Sequence, residues 1–101
     1  MYNALRLAHA LLKKEAGHEL TLFLMADAVL AARAGQKTPD GYYNVERMLK
    51  RVTAGKGRIL LCGTCMDARG LPDDRMLAGA ERSTMEALAE ATLSADRVLI
   101  F

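Results

Sequence analysis

Two cysteines three positions apart carry the most distinctive chemistry of this 101-residue chain. Cys62 ends an apolar run, and Cys65 follows at the point where a helix is expected to begin. The first turn of a helix has unpaired backbone N–H groups and a partial positive charge, which stabilise a thiolate and lower the pKa of a thiol. Gly63 lets the backbone bend and lets a substrate approach. Because the thiolate is the reactive form of cysteine, this spacing predicts a reactive thiol site.

Neighbouring residues are predicted to assist the same chemistry. Arg69 stands four positions after Cys65, about one helical turn away, where its charge would help to stabilise a sulfur anion. The backbone donors from Gly63 through Thr64 to Cys65 would face the same anion. Asp27 follows the end of an earlier apolar run, and two interpretations stay open for it. It either caps a short helix, which is the favoured interpretation, or faces the cysteines.

Two other interpretations compete with a reactive thiol. A structural zinc site needs four ligands, and the chain adds only His9 and His18 to the two cysteines. His18 is expected at the opposite end of a strand, which disfavours a metal site. No phosphate loop, G-x-G-x-x-G or G-x-S-x-G pattern is present, so we predict neither a metal nor an organic cofactor. The remaining interpretation makes Cys62 a small, buried core residue.

The composition is typical of one globular domain. Hydrophobic residues make up 51% and charged residues 26% of the chain, which excludes a disordered tail. A net charge of +2 with interleaved signs disfavours a nucleic-acid-binding module. No apolar run approaches the roughly 18 residues of a membrane span, and the N-terminus lacks a signal-peptide pattern. We therefore expect a single domain over residues 1–101, located in the cytosol, where thiols stay reduced.

Helix and strand patterns alternate along the chain. Apolar runs predict buried strands at 19–25, 58–62 and 97–101. Apolar residues at helical spacing predict helices at 2–16, 27–34, 45–54 and 83–93. Asn44 is expected to cap the third of them, and a capping box that begins at Ser83 is expected to start the fourth. The last of these helices is expected to face inward through Met85, Leu88, Ala89 and Thr92. Because parallel strands need long crossovers, we predict an α/β fold, a three-layer sandwich around a short parallel sheet.

The remaining predictions concern the edges of this sheet and the loops next to them. Sites in parallel sheets lie beyond the carboxyl ends of the strands, so residues 26–27 and 63–65 are expected to converge. The chain opens on a helix, so either a preceding strand is lacking or another subunit covers an edge. Tyr42 and Tyr43, in a turn-rich loop, are expected to pack on a neighbouring element or subunit.

Several segments together resemble the DsrE/DsrF-like (YchN-like) family of small sulfur-relay proteins. They are YNALRLAHALL, LTLFLMADAV, GQKTPDGYYN, CGTCMDARGL and VLIF, and the resemblance covers nearly the whole chain. It implies an α/β fold that assembles into trimers or hexamers. It also implies a cysteine that accepts sulfane sulfur from a donor protein and passes it to an acceptor. Family members carry a strand and a short loop before the segment that matches Tyr2–Arg6, so the resemblance implies that this first strand is lacking here.

The resemblance also distinguishes the two cysteines. The family's carrier cysteine stands seven residues before an Arg-Gly pair, which is the position of Cys62 relative to Arg69-Gly70. Cys65 is additional and would either resolve a persulfide as a disulfide or act as the primary thiol, as the helix-terminus argument indicates. We rank Cys62 first and predict a sulfur carrier of sulfurtransferase type. The alternatives are a dithiol redox protein or sensor and a non-enzymatic oligomeric interaction module.

Overall fold

A short parallel sheet lies at the centre of the fold. The structure is a computed structural model that describes residues 1–14, 18–37 and 44–101. Within these residues the sheet has three strands in the order β1-β2-β3, and both pairs are parallel. The elements are α1 (Tyr2–Leu12), β1 (Thr21–Leu24), a 3₁₀ segment (Ala26–Ala32), α2 (Val45–Ala54), β2 (Arg58–Cys62), α3 (Gly63–Ala68), a second 3₁₀ segment (Asp73–Arg75), β3 (Ala80–Ser83) and α4 (Met85–Ser94).

The central strand β2 has the bounds predicted from the sequence. Its last four residues are buried, because β1 and β3 pair with its two sides and helices α2 and α3 pack against it. A strand covered in this way is apolar along its whole length instead of alternating. The largest fully buried side chains of the core belong to β2 or to the elements that surround it: Leu5, Val29, Leu49, Val52, Ile59, Leu61 and Met66.

Helix α2 also follows the prediction closely. The side-chain oxygen of Asn44 accepts a hydrogen bond from the Arg47 backbone N–H at 3.0 Å, which satisfies one free donor of the first turn. Leu49 and Val52 lie on the inner face and are completely buried. The helix ends with Gly55 at its C-cap position. Local capping and apolar periodicity therefore suffice to define this element.

In the described first half of the chain the predicted elements occur in the predicted order, but their boundaries differ and the second helix is a 3₁₀ segment. Strand β1 covers Thr21–Leu24, which is shorter than the predicted 19–25. Helix α1 ends at Leu12, and residues 15–17 lie outside the described part of the chain. The turn around Pro39 and the pair Tyr42-Tyr43 also lie outside it. The predicted α/β fold with a parallel sheet is confirmed.

The third strand is not the predicted one. Strand β3 is Ala80–Ser83, whereas residues 97–101 form no strand, and Ile100 is 94% exposed. The prediction was wrong because a strand needs a neighbouring backbone to bond to, which an apolar run alone does not provide. Strand β3 was not predicted, because this edge strand is short and polar, with the sequence AERS and no fully buried residue.

Helix α4 was predicted with the wrong cap and the wrong environment. Thr84, not Ser83, is the N-cap residue, and its hydroxyl accepts a hydrogen bond from the Ala87 N–H at 3.1 Å. The helix has no buried residue, and Met85, predicted to face inward, is 55% exposed. Apolar spacing indicates which face of a helix can be buried, but burial also requires an element to cover that face.

The described helices are short relative to the thickness of a bilayer. The longest of them, α1, has 11 residues, far below the roughly 20 needed to cross a hydrocarbon core. Within residues 1–14, 18–37 and 44–101, no helix combines the length and apolar character of a membrane span.

Candidate functional site

The end of β1 and the start of α3 meet at one edge of the sheet. Strand β2 ends at Cys62 and α3 begins at the next residue, while β1 ends at Leu24 and is followed by the first 3₁₀ segment. The Ala26 backbone N–H donates a hydrogen bond to Cys65 Sγ at 3.1 Å, across 39 residues of sequence. The predicted convergence of residues 26–27 with 63–65 is therefore confirmed, as expected for the carboxyl ends of parallel strands.

Cys62 lies at the inner side of this edge. Its residue surface is 4% exposed, and its Sγ lies 3.3 Å from the Thr64 hydroxyl oxygen. A hydrogen bond from the Cys65 side chain lowers the pKa of the Cys62 thiol below its usual value. The Thr64 hydroxyl and the backbone N–H groups of Thr64 and Cys65 lower this pKa further, while burial opposes them. Hydrogen bonds to the thiolate thus outweigh the cost of removing it from water.

Cys65 has a different environment. It is partly exposed, and both cysteines are free thiols. Its hydrogen-bond donor, Ala26, has a φ of 51°, the left-handed region that a residue with a side chain seldom adopts. Such a conformation costs on the order of 1–3 kcal/mol and persists where the surroundings impose it. Here the strained backbone directs an N–H group at Cys65 Sγ.

The ion pair between Arg69 and Asp27 links the two segments that form the contact between Ala26 and Cys65. Arg69 donates to Asp27 Oδ1 from Nε at 3.0 Å and from Nη2 at 2.8 Å, and its Nη1 donates to the Cys65 carbonyl oxygen at 3.1 Å. Met25 occupies the N-cap position and the first 3₁₀ segment has no side-chain cap, so the favoured interpretation of Asp27 as a cap was wrong. Asp27 instead faces the segment that carries the cysteines. The hydrogen bonds of Arg69 reach the backbone of Cys65 and not a sulfur.

Arg82 is a neighbour of the site that sequence reasoning missed. Its guanidinium donates to Asp67 Oδ1 on α3 at 2.8 Å and to Asp73 Oδ1 at 2.9 Å. This guanidinium lowers the pKa of Asp67. A Cβ on Gly63 would lie 2.8 Å from Arg82 Nη1, so a side chain here would displace the Arg82 guanidinium. The strand register could have revealed this neighbour, because Ser83, the residue after Arg82, pairs with Cys62. It did not, because the polar strand β3 was not predicted.

The other candidate ligands lie elsewhere. The His9 imidazole Nε2–H donates to the Met48 carbonyl oxygen at 2.8 Å, so His9 bridges α1 and α2. Across the described ranges, no cluster of three or more His, Cys, Asp or Glu side chains has an arrangement that would hold a metal ion.

Comparison with known proteins identifies the family of this chain. The DsrE/DsrF-like family profile matches residues 1–101. The chain belongs to this family. Protein YchN of Escherichia coli K12 is 46% identical over 101 residues, which are 100% of this chain and 86% of that protein. The crystal structure of E. coli YchN matches the fold with a TM-score of 0.92 at 47% identity, covering 99% of this chain and 85% of that one.

More distant relatives support the same assignment. The uncharacterized protein MK0008 of Methanopyrus kandleri is 33% identical over 100 residues, covering 99% of this chain and 80% of that protein. The predicted family is thus confirmed, and DsrE-like proteins are associated with sulfur relay. The names of these relatives assign no reaction.

Proposed function

We propose that this DsrE/DsrF-like chain is a cytosolic sulfur carrier that holds sulfane sulfur as a persulfide on Cys62. The observation that carries the proposal is the position of Cys62 where β2 ends and α3 begins, with its Sγ 3.3 Å from the Thr64 hydroxyl oxygen; hydrogen bonding there lowers the pKa of Cys62 despite burial. A lowered pKa increases the fraction of thiolate, which is the nucleophile that sulfur transfer requires. The partners would be a sulfur donor protein and a sulfur acceptor protein, not a nucleic acid or a membrane.

The reaction is a thiol exchange without net oxidation. The Cys62 thiolate attacks the terminal sulfur of a donor persulfide, R–S–SH, and forms a new S–S bond. The S–S bond of the donor breaks, and the donor leaves as the thiolate R–S⁻, while Cys62 carries the terminal –SH group. In the second step an acceptor thiolate attacks that terminal sulfur and releases the Cys62 thiolate. Each step breaks one S–S bond and forms another.

The surrounding residues support this chemistry in different ways. The Thr64 hydroxyl and the backbone N–H groups of the first turn of α3 stabilise negative charge on Cys62. Gly63 admits Arg82 beside that turn. In our proposal Cys65 acts as a hydrogen-bond donor to Cys62, and Arg69 holds the backbone of Cys65 instead of touching sulfur.

Mass spectrometry of the intact protein tests the proposal. After incubation with a small-molecule persulfide donor and removal of excess reagent, we expect the wild-type chain to gain the mass of one sulfur atom. Dithiothreitol should reverse the gain, because it reduces persulfides. The matched control is the double variant Cys62→Ser/Cys65→Ser, which should stay at its unmodified mass. No gain in the wild type, or an equal gain in the double variant, would contradict a persulfide carrier.

A second candidate function is a dithiol redox protein or sensor. The observation that favours it is that Cys62 and Cys65 are both free thiols at the start of one helix, Cys62 at the N-cap of α3 and Cys65 in its first turn. Titration against glutathione buffers, followed by thiol alkylation and mass spectrometry, would measure the reduction potential of the pair. A potential far outside the cytosolic glutathione range would exclude a redox cycle there.

We also propose that the chain self-associates as a trimer or hexamer. Helix α4 has no buried residue, and large apolar side chains stay exposed on it and after it: Met85, Leu93, Val98, Leu99, Ile100 and Phe101. Apolar surface of this kind marks interaction sites in stable proteins. We expect sedimentation at micromolar concentration to give an oligomer. Substitution of Ile100 by Asp, which adds a charge to this surface, should shift the protein to smaller species, and a wild-type monomer would contradict the proposal.

A further inference from the structure

We infer that the cationic surface between α1 and α2 is a docking site for an acidic segment of a partner protein. This surface, the basic groove, combines one face of α1 and the two residues after it with the last turn of α2. Its cations are Arg6, Lys13, Lys14 and Arg51. The inference concerns protein binding, so it holds whether or not Cys62 carries sulfur.

Two adjoining hollows form the basic groove. Arg6, Ala10 and Lys14 follow one another at intervals of four residues, which places them on one side of α1 and of the turn after it. With His9 and Lys13 they line a hollow of about 400 Å³. A second hollow of about 300 Å³ is lined by His9, Leu12, Lys13 and Arg51. Because the two hollows share His9 and Lys13, they form one groove that runs from α1 to α2.

Contacts between the two helices hold the groove in shape. The His9 imidazole donates a hydrogen bond to the Met48 carbonyl oxygen at 2.8 Å, which ties the middle of α1 to α2. Near the ends of both helices, Leu12 lies against Gly55, where a Cβ would be 3.1 Å from Leu12 Cδ1. A surface held in this way is organised before its partner arrives, which reduces the entropy lost on binding.

The cations of the groove have no negative partner in the part of the chain that the structure describes. All four are exposed, and none of them forms an ion pair with a described residue. Arg6 contacts neutral groups, the side-chain oxygen of Asn3 at 3.4 Å and the ring of Tyr2 at 5.9 Å. No acidic residue is among the described residues that line either hollow. The groove therefore presents four uncompensated positive charges.

This concentration of positive charge is local. The whole chain has a net charge of +2, so the four cations of the groove leave a net charge of −2 on the rest of the molecule. At the cysteine edge, by contrast, Arg69 and Arg82 are each paired with aspartates. A cation at the end of a helix also stabilises that helix through its dipole, but this does not account for Arg6 in the middle of α1. Charge complementarity therefore predicts a negatively charged partner.

The distribution of the cations favours a polypeptide over a compact anion. At 1.5 Å per residue, Arg6 and Lys14 are separated by about 12 Å along the axis of α1, and Arg51 adds a charge from α2. A single phosphate group needs cations that converge on one point, whereas acidic side chains are distributed along a peptide. Ala10 and Leu12 add apolar surface between the charges. A segment with both acidic and apolar side chains matches this surface better than a phosphate backbone does.

The groove lies away from the cysteines. Helix α2 ends at Ala54 and β2 begins at Arg58, so the last turn of α2 lies near the amino end of β2. Cys62 and Cys65 lie at and beyond the carboxyl end of the same strand. A partner docked in the groove would therefore leave the cysteine edge uncovered.

Fluorescence anisotropy of the full chain with a labelled peptide tests the inference. The probe is a fluorescein-labelled peptide of repeated Glu-Glu-Leu, and its binding should weaken as salt screens the charges. Because single exposed ion pairs contribute little, the four cations are replaced together, and we expect binding to weaken about tenfold or more. The variant is Arg6→Gln/Lys13→Gln/Lys14→Gln/Arg51→Gln.

A matched control removes the same number of exposed cations from other surfaces. It should bind the peptide within about twofold of the wild type, because only the screened long-range attraction changes. Circular dichroism should show that both variants fold, since all the replaced side chains are exposed. The control variant is Arg33→Gln/Lys37→Gln/Arg75→Gln/Arg97→Gln.

Several outcomes of these measurements would overturn the inference. They are unchanged binding in the groove variant, an equal loss in the control variant, and equal binding of a neutral peptide of repeated Gln-Gln-Leu. Tighter binding of oligothymidylate or of tripolyphosphate than of the acidic peptide, measured by competition, would assign the groove to a nucleic acid or a small phosphate and would overturn it as well.

Cross-linking with a water-soluble carbodiimide locates the peptide on the wild-type chain. The reagent condenses a peptide carboxylate with a lysine amine to an amide, and peptide mass spectrometry identifies the lysine. We expect amides at Lys13 and Lys14 that excess unlabelled peptide suppresses. Cross-links confined to Lys37, Lys50 and Lys56 would contradict docking in the basic groove.

Discussion

Replacement of Cys62 by Ser is expected to abolish persulfide formation, whereas replacement of Cys65 is expected only to slow it. Cys62 is the thiol whose pKa is lowered by several hydrogen bonds, and a serine hydroxyl is not ionised at neutral pH. Cys65→Ser keeps a hydrogen-bond donor near Cys62, whereas Cys65→Ala removes it. The alanine variant should therefore load sulfur more slowly than the serine variant. Mass spectrometry over time after addition of a persulfide donor measures all three.

The pH dependence of loading and stability provides the check on this prediction. The loading rate should rise with pH and level off above the pKa of Cys62, which lies below its ordinary value of 9.0. Between the folded-state pKa and about 9 the unfolded chain binds more protons, so the free energy of unfolding should rise with pH. This stabilisation is complete above about 9 and is lost as pH falls through the folded-state pKa. Undiminished loading in Cys62→Ser would make Cys65 the carrier.

Substitution of Leu49 by Ala is expected to cause a large loss of stability. Leu49 is completely buried in α2, and removal of a fully buried leucine side chain leaves a cavity that costs about 2–5 kcal/mol. That is a large share of the roughly 5–15 kcal/mol by which small domains are stable. Chemical denaturation followed by circular dichroism measures the loss.

Leu11→Ala is the matched control for this substitution. Leu11 is also a helical leucine, but it is 36% exposed on α1, so less buried surface is lost and we expect a smaller effect. Equal losses for the two variants would contradict the description of the core around β2. A loss for Leu49→Ala within the range of surface substitutions, about 0.5 kcal/mol, would contradict it as well.

Sequence patterns determined the elements whose causes are local. The strand Arg58–Cys62 and the cap of α2 at Asn44 follow from apolar runs and capping chemistry that involve only nearby residues. The two cysteines three positions apart were recognised for the same reason, and so was the convergence of strand ends, because parallel strands share one direction. Family resemblance added the ranking of Cys62 over Cys65.

Tertiary structure decided what depends on contacts between distant segments. Asp27 and Arg69 are separated by 42 residues, and no local pattern reveals that Asp27 binds Arg69 instead of capping a helix. The strained Ala26 conformation and its bond to Cys65 likewise exist only once β1 and β2 are paired. The polar strand β3 and the exposed residues 97–101 were mispredicted because pairing and burial depend on which neighbours are present, which hydrophobicity alone does not specify.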